Sequence, residues 1–172
     1  AFMDNNSDCG LVMPKILYPD GKIQCLCKLL PNPANLIFRR VKWLRSLRKI
    51  FNGDYELRNF NYDKCAEIPS LSGCFMFLRM DVIKQVGLFD ERYFMYAEDL
   101  DLCRRIGDIS RTIFYPNAIV YHEYAKQSYH DAKMFRYHTV SIVKYFMKWG
   151  WLFDRTRRIR NNECLVKLHY YR

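Results

Sequence analysis

The chain has 172 residues and a mass of 20.8 kDa, with 50% of its residues hydrophobic and 27% charged. That length allows one domain or part of one, and the apolar share excludes wholesale disorder. A net charge of +10 and a pI near 9.3 imply an anionic partner: nucleic acid, lipid headgroups or a phosphorylated ligand.

The chain opens on Ala1 and not on Met, so it reads as a piece of a longer protein or one whose start is missing. No apolar run approaches the roughly 20 residues of a spanning helix, and no signal peptide is visible. Cysteines stand at 9, 25, 27, 65, 74, 103 and 164, and none forms a Cys-x-x-Cys pair. An odd number without regular spacing points to reduced cytoplasmic thiols.

Residues 1 to 8 read as the tail of a helix and a turn. Gly10 to Leu17 reads as a buried strand that Pro14 interrupts. Tyr18-Pro-Asp-Gly signals a turn, Ile23 to Leu26 a second short strand, and Pro31 and Pro33 break the chain. Leu36 to Phe51 is predicted as a basic amphipathic helix. Its stripe is Ile37, Val41, Leu44, Leu47 and Phe51, beside Arg39, Arg40, Lys42, Arg45, Arg48 and Lys49, with no acid. Such a helix either packs on its own domain or lies on an anionic membrane, with nucleic acid a further partner.

Asn52 to Lys64 lacks periodicity and reads as a loop. Ile68 to Leu78 is strand-like, and Met80 to Val86 a short helix stopped by Gly87. From Ala97 the apolar residues Leu100, Cys103 and Ile106 recur at helical spacing, up to Gly107. Thr112 to Tyr115 and Ala118 to His122 read as short strands around a Pro116-Asn117 turn. A long helix is expected from Asp131 to Trp149, then a tail carrying Arg155, Arg157, Arg158 and Arg160.

The chemistry gathers in the acidic helix. Glu98, Asp99 and Asp101 occupy its first turn, after the aromatics Phe89, Tyr93, Phe94 and Tyr96. The helix dipole favours negative charge there, so at least one carboxylate stays ionised and able to act as a base. The same acids could equally just cap and solvate the helix. Asp90 suits a turn as well as a sugar contact. His122 ends an apolar strand, where a lone histidine is more often a satisfied edge residue than a ligand. His130 and His138 read as surface residues.

Five stretches carry a resemblance: Gly10-Leu-Val-Met-Pro-Lys-Ile, Pro19-Asp-Gly-Lys-Ile-Gln, Leu71-Ser-Gly-Cys-Phe-Met, Gly87-Leu-Phe-Asp-Glu-Arg-Tyr-Phe-Met-Tyr-Ala-Glu-Asp-Leu-Asp-Leu-Cys-Arg-Arg and Tyr115-Pro-Asn-Ala-Ile-Val-Tyr-His. In this order they resemble the acceptor-side half of an inverting family 2 glycosyltransferase of the GT-A fold. The similarity is greatest to its rhamnosyltransferase-like branch, which builds bacterial surface polysaccharides.

That resemblance implies an α/β chain with a partial GT-A fold: a mixed sheet, flanking helices and a long C-terminal helix. Residues 1–150 would be the C-terminal, acceptor and catalytic-base part, and residues 151–172 a basic tail. The reaction implied moves a hexose or deoxyhexose from a nucleotide diphosphate sugar to a glycan or lipid-linked acceptor, with inversion.

In the family's Glu-Asp motif the aspartate is the usual base, which here implies Asp99, with Glu98 orienting the acceptor hydroxyl or supporting the site. Ser72, Gly73 and Cys74 match the strand end facing the acceptor, and Asp101 is a weaker candidate, acceptor-side or structural. Gly73 would let a ligand approach the backbone closely. His122 would complete the coordination of a divalent cation, Mn or Mg, and Ser128 would touch a donor phosphate.

The family's N-terminal nucleotide-binding sheet and its Asp-x-Asp metal motif have no counterpart here, since Asp99-Leu-Asp101 belongs to the acceptor side. The expected location is cytoplasmic, peripheral at the inner face of the cell membrane, with no nucleic acid bound. The rival reading is a non-catalytic basic module that docks an anionic membrane or nucleic acid.

Overall fold

The computed structural model describes residues 1–40, 54–123 and 132–168. A four-stranded mixed sheet with flanking helices makes this an α/β chain, consistent with a partial GT-A fold. The strands are β1 (Cys9–Leu17), β2 (Ala66–Glu67), β3 (Phe77–Leu78) and β4 (Arg111–Tyr121), in the order β2-β4-β1-β3. β1 and β4 are parallel, whereas β3 on β1 and β2 on β4 are antiparallel. β1 is buried along almost its whole length, as its continuous apolar run requires of a central strand covered on both faces.

β4 is one strand where two were expected. Tyr115 pairs with Pro14 but Ile119 pairs with Lys15, so Pro116, Asn117 and Ala118 bulge opposite Pro14. Pro14 has no N–H to donate, and the parallel ladder absorbs that defect as a bulge without turning back.

The helices are α1 (Phe2–Asn5), α2 (Pro33–Arg40), α3 (Met80–Val86), α4 (Glu98–Gly107), α5 (Ala132–Trp149) and α6 (Arg155–Lys167). Gly87 stops α3 at φ 82, a left-handed angle that suits glycine. α4 buries Leu100, Cys103 and Ile106 in the main core, with Leu11, Met13 and Ile16 of β1 and Phe114 of β4.

Three expectations are corrected. Ile68 to Leu78 is not one strand: β2 and β3 flank a turn at Ser72, Gly73 and Cys74, and Pro69 cannot donate to a ladder. Ile23 to Leu26 forms only an isolated bridge between Ile23 and Leu17. The basic tail is the ordered helix α6, in which Arg157 and Cys164 are buried. Asn161 of α6 clamps Leu30, taking its N–H at 2.8 Å and donating to its carbonyl at 2.9 Å. α2 is the start of the predicted basic helix; the rest of that helix, to Phe51, and Ser128 and His130 lie outside the described residues.

Candidate functional site

A cleft of about 390 Å³ opens beside the N-terminus of α4. It brings together Ser72, Gly73, Cys74, Glu98, Asp99 and His122. The first three form the turn between β2 and β3, the two acids open α4, and His122 follows β4.

The chain enters α4 through two consecutive left-handed residues, Tyr96 at φ 67 and Ala97 at φ 66. Neither is glycine, so each conformation costs on the order of 1 kcal/mol or more. This bend seats the first turn of α4 in the cleft wall. Asp99 is held there by two backbone donors: Gly73 N–H reaches Oδ2 at 2.9 Å and Leu100 N–H reaches Oδ1 at 2.8 Å. Each oxygen keeps a second lone pair for a ligand proton.

Gly73 is needed for this contact. A Cβ there would stand 3.0 Å from Asp99 Cβ and 3.4 Å from Oδ2. The Asp99 side chain thus approaches the Gly73 backbone closely.

Glu98 is the electrostatic opposite. Its Oε2 is buried without a hydrogen-bond partner. Burial first, and the neighbouring Asp99 charge second, push its pKa above the ordinary 4.5. The cleft therefore holds two carboxylates in different states, one fixed by N–H donors and one desolvated.

His122 is oriented by Gln24. The Gln24 amide nitrogen donates to the carbonyls of Leu17, at 3.3 Å, and His122. That leaves Gln24 Oε1 facing His122 Nδ1 at 3.3 Å as an acceptor. Among the described residues no three His, Cys, Asp or Glu side chains converge closely enough to hold a metal.

Asp101 lies apart from the cleft. It is fully buried, accepting from Arg105 Nε at 2.8 Å, Lys148 Nζ at 2.7 Å and Trp149 Nε1 at 2.7 Å. Asp90 pairs with Arg92 and with the same Lys148, each at 2.9 Å. Burial works to raise its pKa, but those bonds outweigh it and hold the carboxyl at about 2. Both acids fasten α5 to the loop and helix beside the cleft.

Sequence reasoning missed Gln24 and His138, which line the cleft together with Tyr96. His138 was expected on the surface, but its ring meets Tyr96 edge-on at 5.0 Å. The aromatic and histidine content near α4 was visible; the left-handed bend that turns Tyr96 toward α5 carries no sequence signal, because glycine is absent from it.

Among the described residues, no helix is long and apolar enough to cross a membrane. No protein-family model and no solved structure matches the chain. Among curated proteins, it is 44% identical over 62 residues to N-acetylglucosaminyl-diphospho-decaprenol L-rhamnosyltransferase of Mycobacterium tuberculosis (strain H37Rv), covering 36% of this chain and 20% of that protein. It is 35% identical over 80 residues to Rhamnosyltransferase WbbL of Escherichia coli (strain K12), covering 45% of this chain and 30% of that protein. The matched stretches thus span less than a third of either relative, and over them the chain is related to glycosyltransferases.

Proposed function

We propose that the chain is the acceptor-side, base-bearing part of an inverting family 2 glycosyltransferase with the GT-A fold. It would transfer a deoxyhexose, in the manner of the rhamnosyltransferases it is similar to, from a nucleoside diphosphate sugar to a lipid-linked or glycan acceptor. The supporting observation is the Asp99 carboxylate, fixed in the cleft wall by Gly73 N–H and Leu100 N–H, with the desolvated Glu98 beside it.

Asp99 takes the proton of the acceptor hydroxyl. The acceptor oxygen bonds to the anomeric carbon from the face opposite the diphosphate, and the bond to the diphosphate oxygen breaks. The nucleoside diphosphate leaves with that electron pair, and the configuration inverts. Two N–H donors hold Asp99 in one geometry, which removes the reorganisation a flexible base would need. Glu98 accepts a hydrogen bond from a sugar hydroxyl, which gives its buried oxygen the partner it lacks. Ser72 and Cys74 border the acceptor. His122 would contribute a ligand to a divalent cation, Mn or Mg, which would neutralise leaving-group charge when bound.

The test is acceptor glycosylation by the full-length gene product, with a panel of nucleoside diphosphate deoxyhexoses and a lipid-linked N-acetylglucosamine acceptor. Transfer that inverts the anomeric centre and is lost in Asp99→Asn supports this reading. Salt-sensitive nucleic-acid binding without transfer, unchanged by Asp99→Asn, supports the basic-module alternative instead.

A further inference from the structure

The end of α5 and its link to α6 display an apolar knuckle. Trp151, Leu152 and Phe153 are 44%, 74% and 98% exposed, and Met147, one turn back on α5, is 72% exposed. The exposed Val140 and Val143 extend the patch, because positions 140, 143 and 147 share one helix face.

The knuckle is rigidly built. Gly150 turns the chain at φ 97, and its N–H donates to the Phe146 carbonyl at 2.9 Å. The buried Arg157 guanidinium donates to the carbonyls of Trp151 at 3.3 Å, Leu152 at 3.2 Å and Pro31 at 3.2 Å. These bonds tie the backbone of the knuckle to the body of the protein while its side chains stay in solvent. Trp151 rests on Phe146 with ring centroids 5.2 Å apart.

Exposed cations flank it in the sequence: Arg155 and Arg158 on α6 beside Ile159, and Lys144 on α5, whose Nζ donates to the Arg92 carbonyl at 2.9 Å. Asp154 is the sole acid between residues 132 and 162 of the sequence, and it is occupied by Arg104 and by the cap of α6.

We propose that this knuckle docks the protein on an anionic lipid surface. Trp151, Leu152, Phe153 and Met147 enter the boundary between headgroups and acyl chains, while Arg155 and Arg158 meet the lipid phosphates. A second copy is the poorer occupant, since a two-fold contact would set these cations against their own symmetry mates in a chain of net charge +10. The proposal does not depend on the reading of the cleft.

Co-sedimentation tests it with two kinds of vesicle: phosphatidylcholine alone, and phosphatidylcholine mixed with phosphatidylglycerol. The full chain is expected to bind the mixed vesicles more tightly than the neutral ones, less so at high salt. Leu152→Ser/Phe153→Ser and Arg155→Glu/Arg158→Glu should each weaken that binding about tenfold or more, with Tm unchanged. Parent-like binding by Leu152→Ser/Phe153→Ser overturns the proposal, as does dependence on the Arg39 to Lys49 cluster alone. Failure of the parent to bind mixed vesicles also overturns it, and so does a dimer that Leu152→Ser/Phe153→Ser dissolves.

Discussion

Gly73 and Asp99 are matched to each other: the Gly73 N–H donates to Asp99 Oδ2 at 2.9 Å, and a Cβ on Gly73 would come within 3.0 Å of Asp99 Cβ. Gly73→Ala should therefore displace the carboxylate by a few tenths of an ångström or more without disturbing the core. The expected result is about a 10- to 100-fold loss of transfer with a change in stability below about 1 kcal/mol. A parent-like rate in Gly73→Ala would remove the positioning role of this contact.

How much of this was legible in the sequence varied with how local the cause was. The α4 boundaries followed from Leu100, Cys103 and Ile106, and from Gly107, because a helix face is written in neighbouring residues. The place of Asp101 was not legible. It shares the first turn with Asp99, but Arg105 claims it from one turn away, and Lys148 and Trp149 from nearly fifty residues along the chain. The single β4 strand was hidden as well, since Pro116-Asn117 signals a turn unless a partner strand carries its own defect at Pro14. His138 was missed because its approach to the cleft depends on the strained bend at Tyr96 and Ala97.

Asp154 joins two helices. It takes a two-pronged ion pair from Arg104, at 2.6 Å on each oxygen, and caps α6 by accepting from Arg157 N–H at 2.9 Å. Arg104 also stacks on Trp149 at 4.3 Å, so its charge is buried at the centre of this contact. Asp154→Ala leaves that charge unpaired and should cost about 3–5 kcal/mol in denaturant titration. A loss under about 1 kcal/mol would mean that Arg104 finds another partner or water.

Acid should expose the same network. Burial alone would raise the Asp154 pKa, but the bonds from Arg104 and Arg157 outweigh it and hold it below 3.8. Asp90 is held at about 2. Both folded values are depressed, so their contribution is present above 3.8 and is lost as pH falls toward 2. Thermal melts across that window should show a fall that Asp90→Asn reduces; an identical fall in Asp90→Asn would contradict the assignment.

Glu98 has the opposite sign. Its folded pKa is raised above 4.5, so the stability it contributes is full below 4.5 and declines as pH rises through the raised value. Glu98→Gln removes that decline. The variant should melt higher than the parent at pH 7, and the gap should close below 4.5. A gap that does not change with pH would show that Glu98 is not desolvated in the folded protein.

Thiol reactivity follows burial. Cys103 and Cys164 are buried with pKa values pushed up to about 12, and burial raises Cys27 as well. Cys25 and Cys65 are exposed. Alkylation of the native protein, read by mass spectrometry, should label Cys25 and Cys65 and spare Cys27, Cys103 and Cys164 until denaturant is added. Rapid native labelling of Cys103 would place α4 in a looser packing than described.

The central claim is that Asp99 is the base of a sugar transfer, and Asp99→Asn tests it most directly. The isosteric amide keeps an oxygen for a backbone N–H but cannot take the acceptor proton. Measured as glycosyl transfer by the full-length gene product, kcat should fall about 10²- to 10⁴-fold with acceptor binding nearly unchanged. An Asp99→Asn enzyme that turns over within a few-fold of the parent would contradict the account, and the base would have to be sought elsewhere in the cleft, first at Glu98.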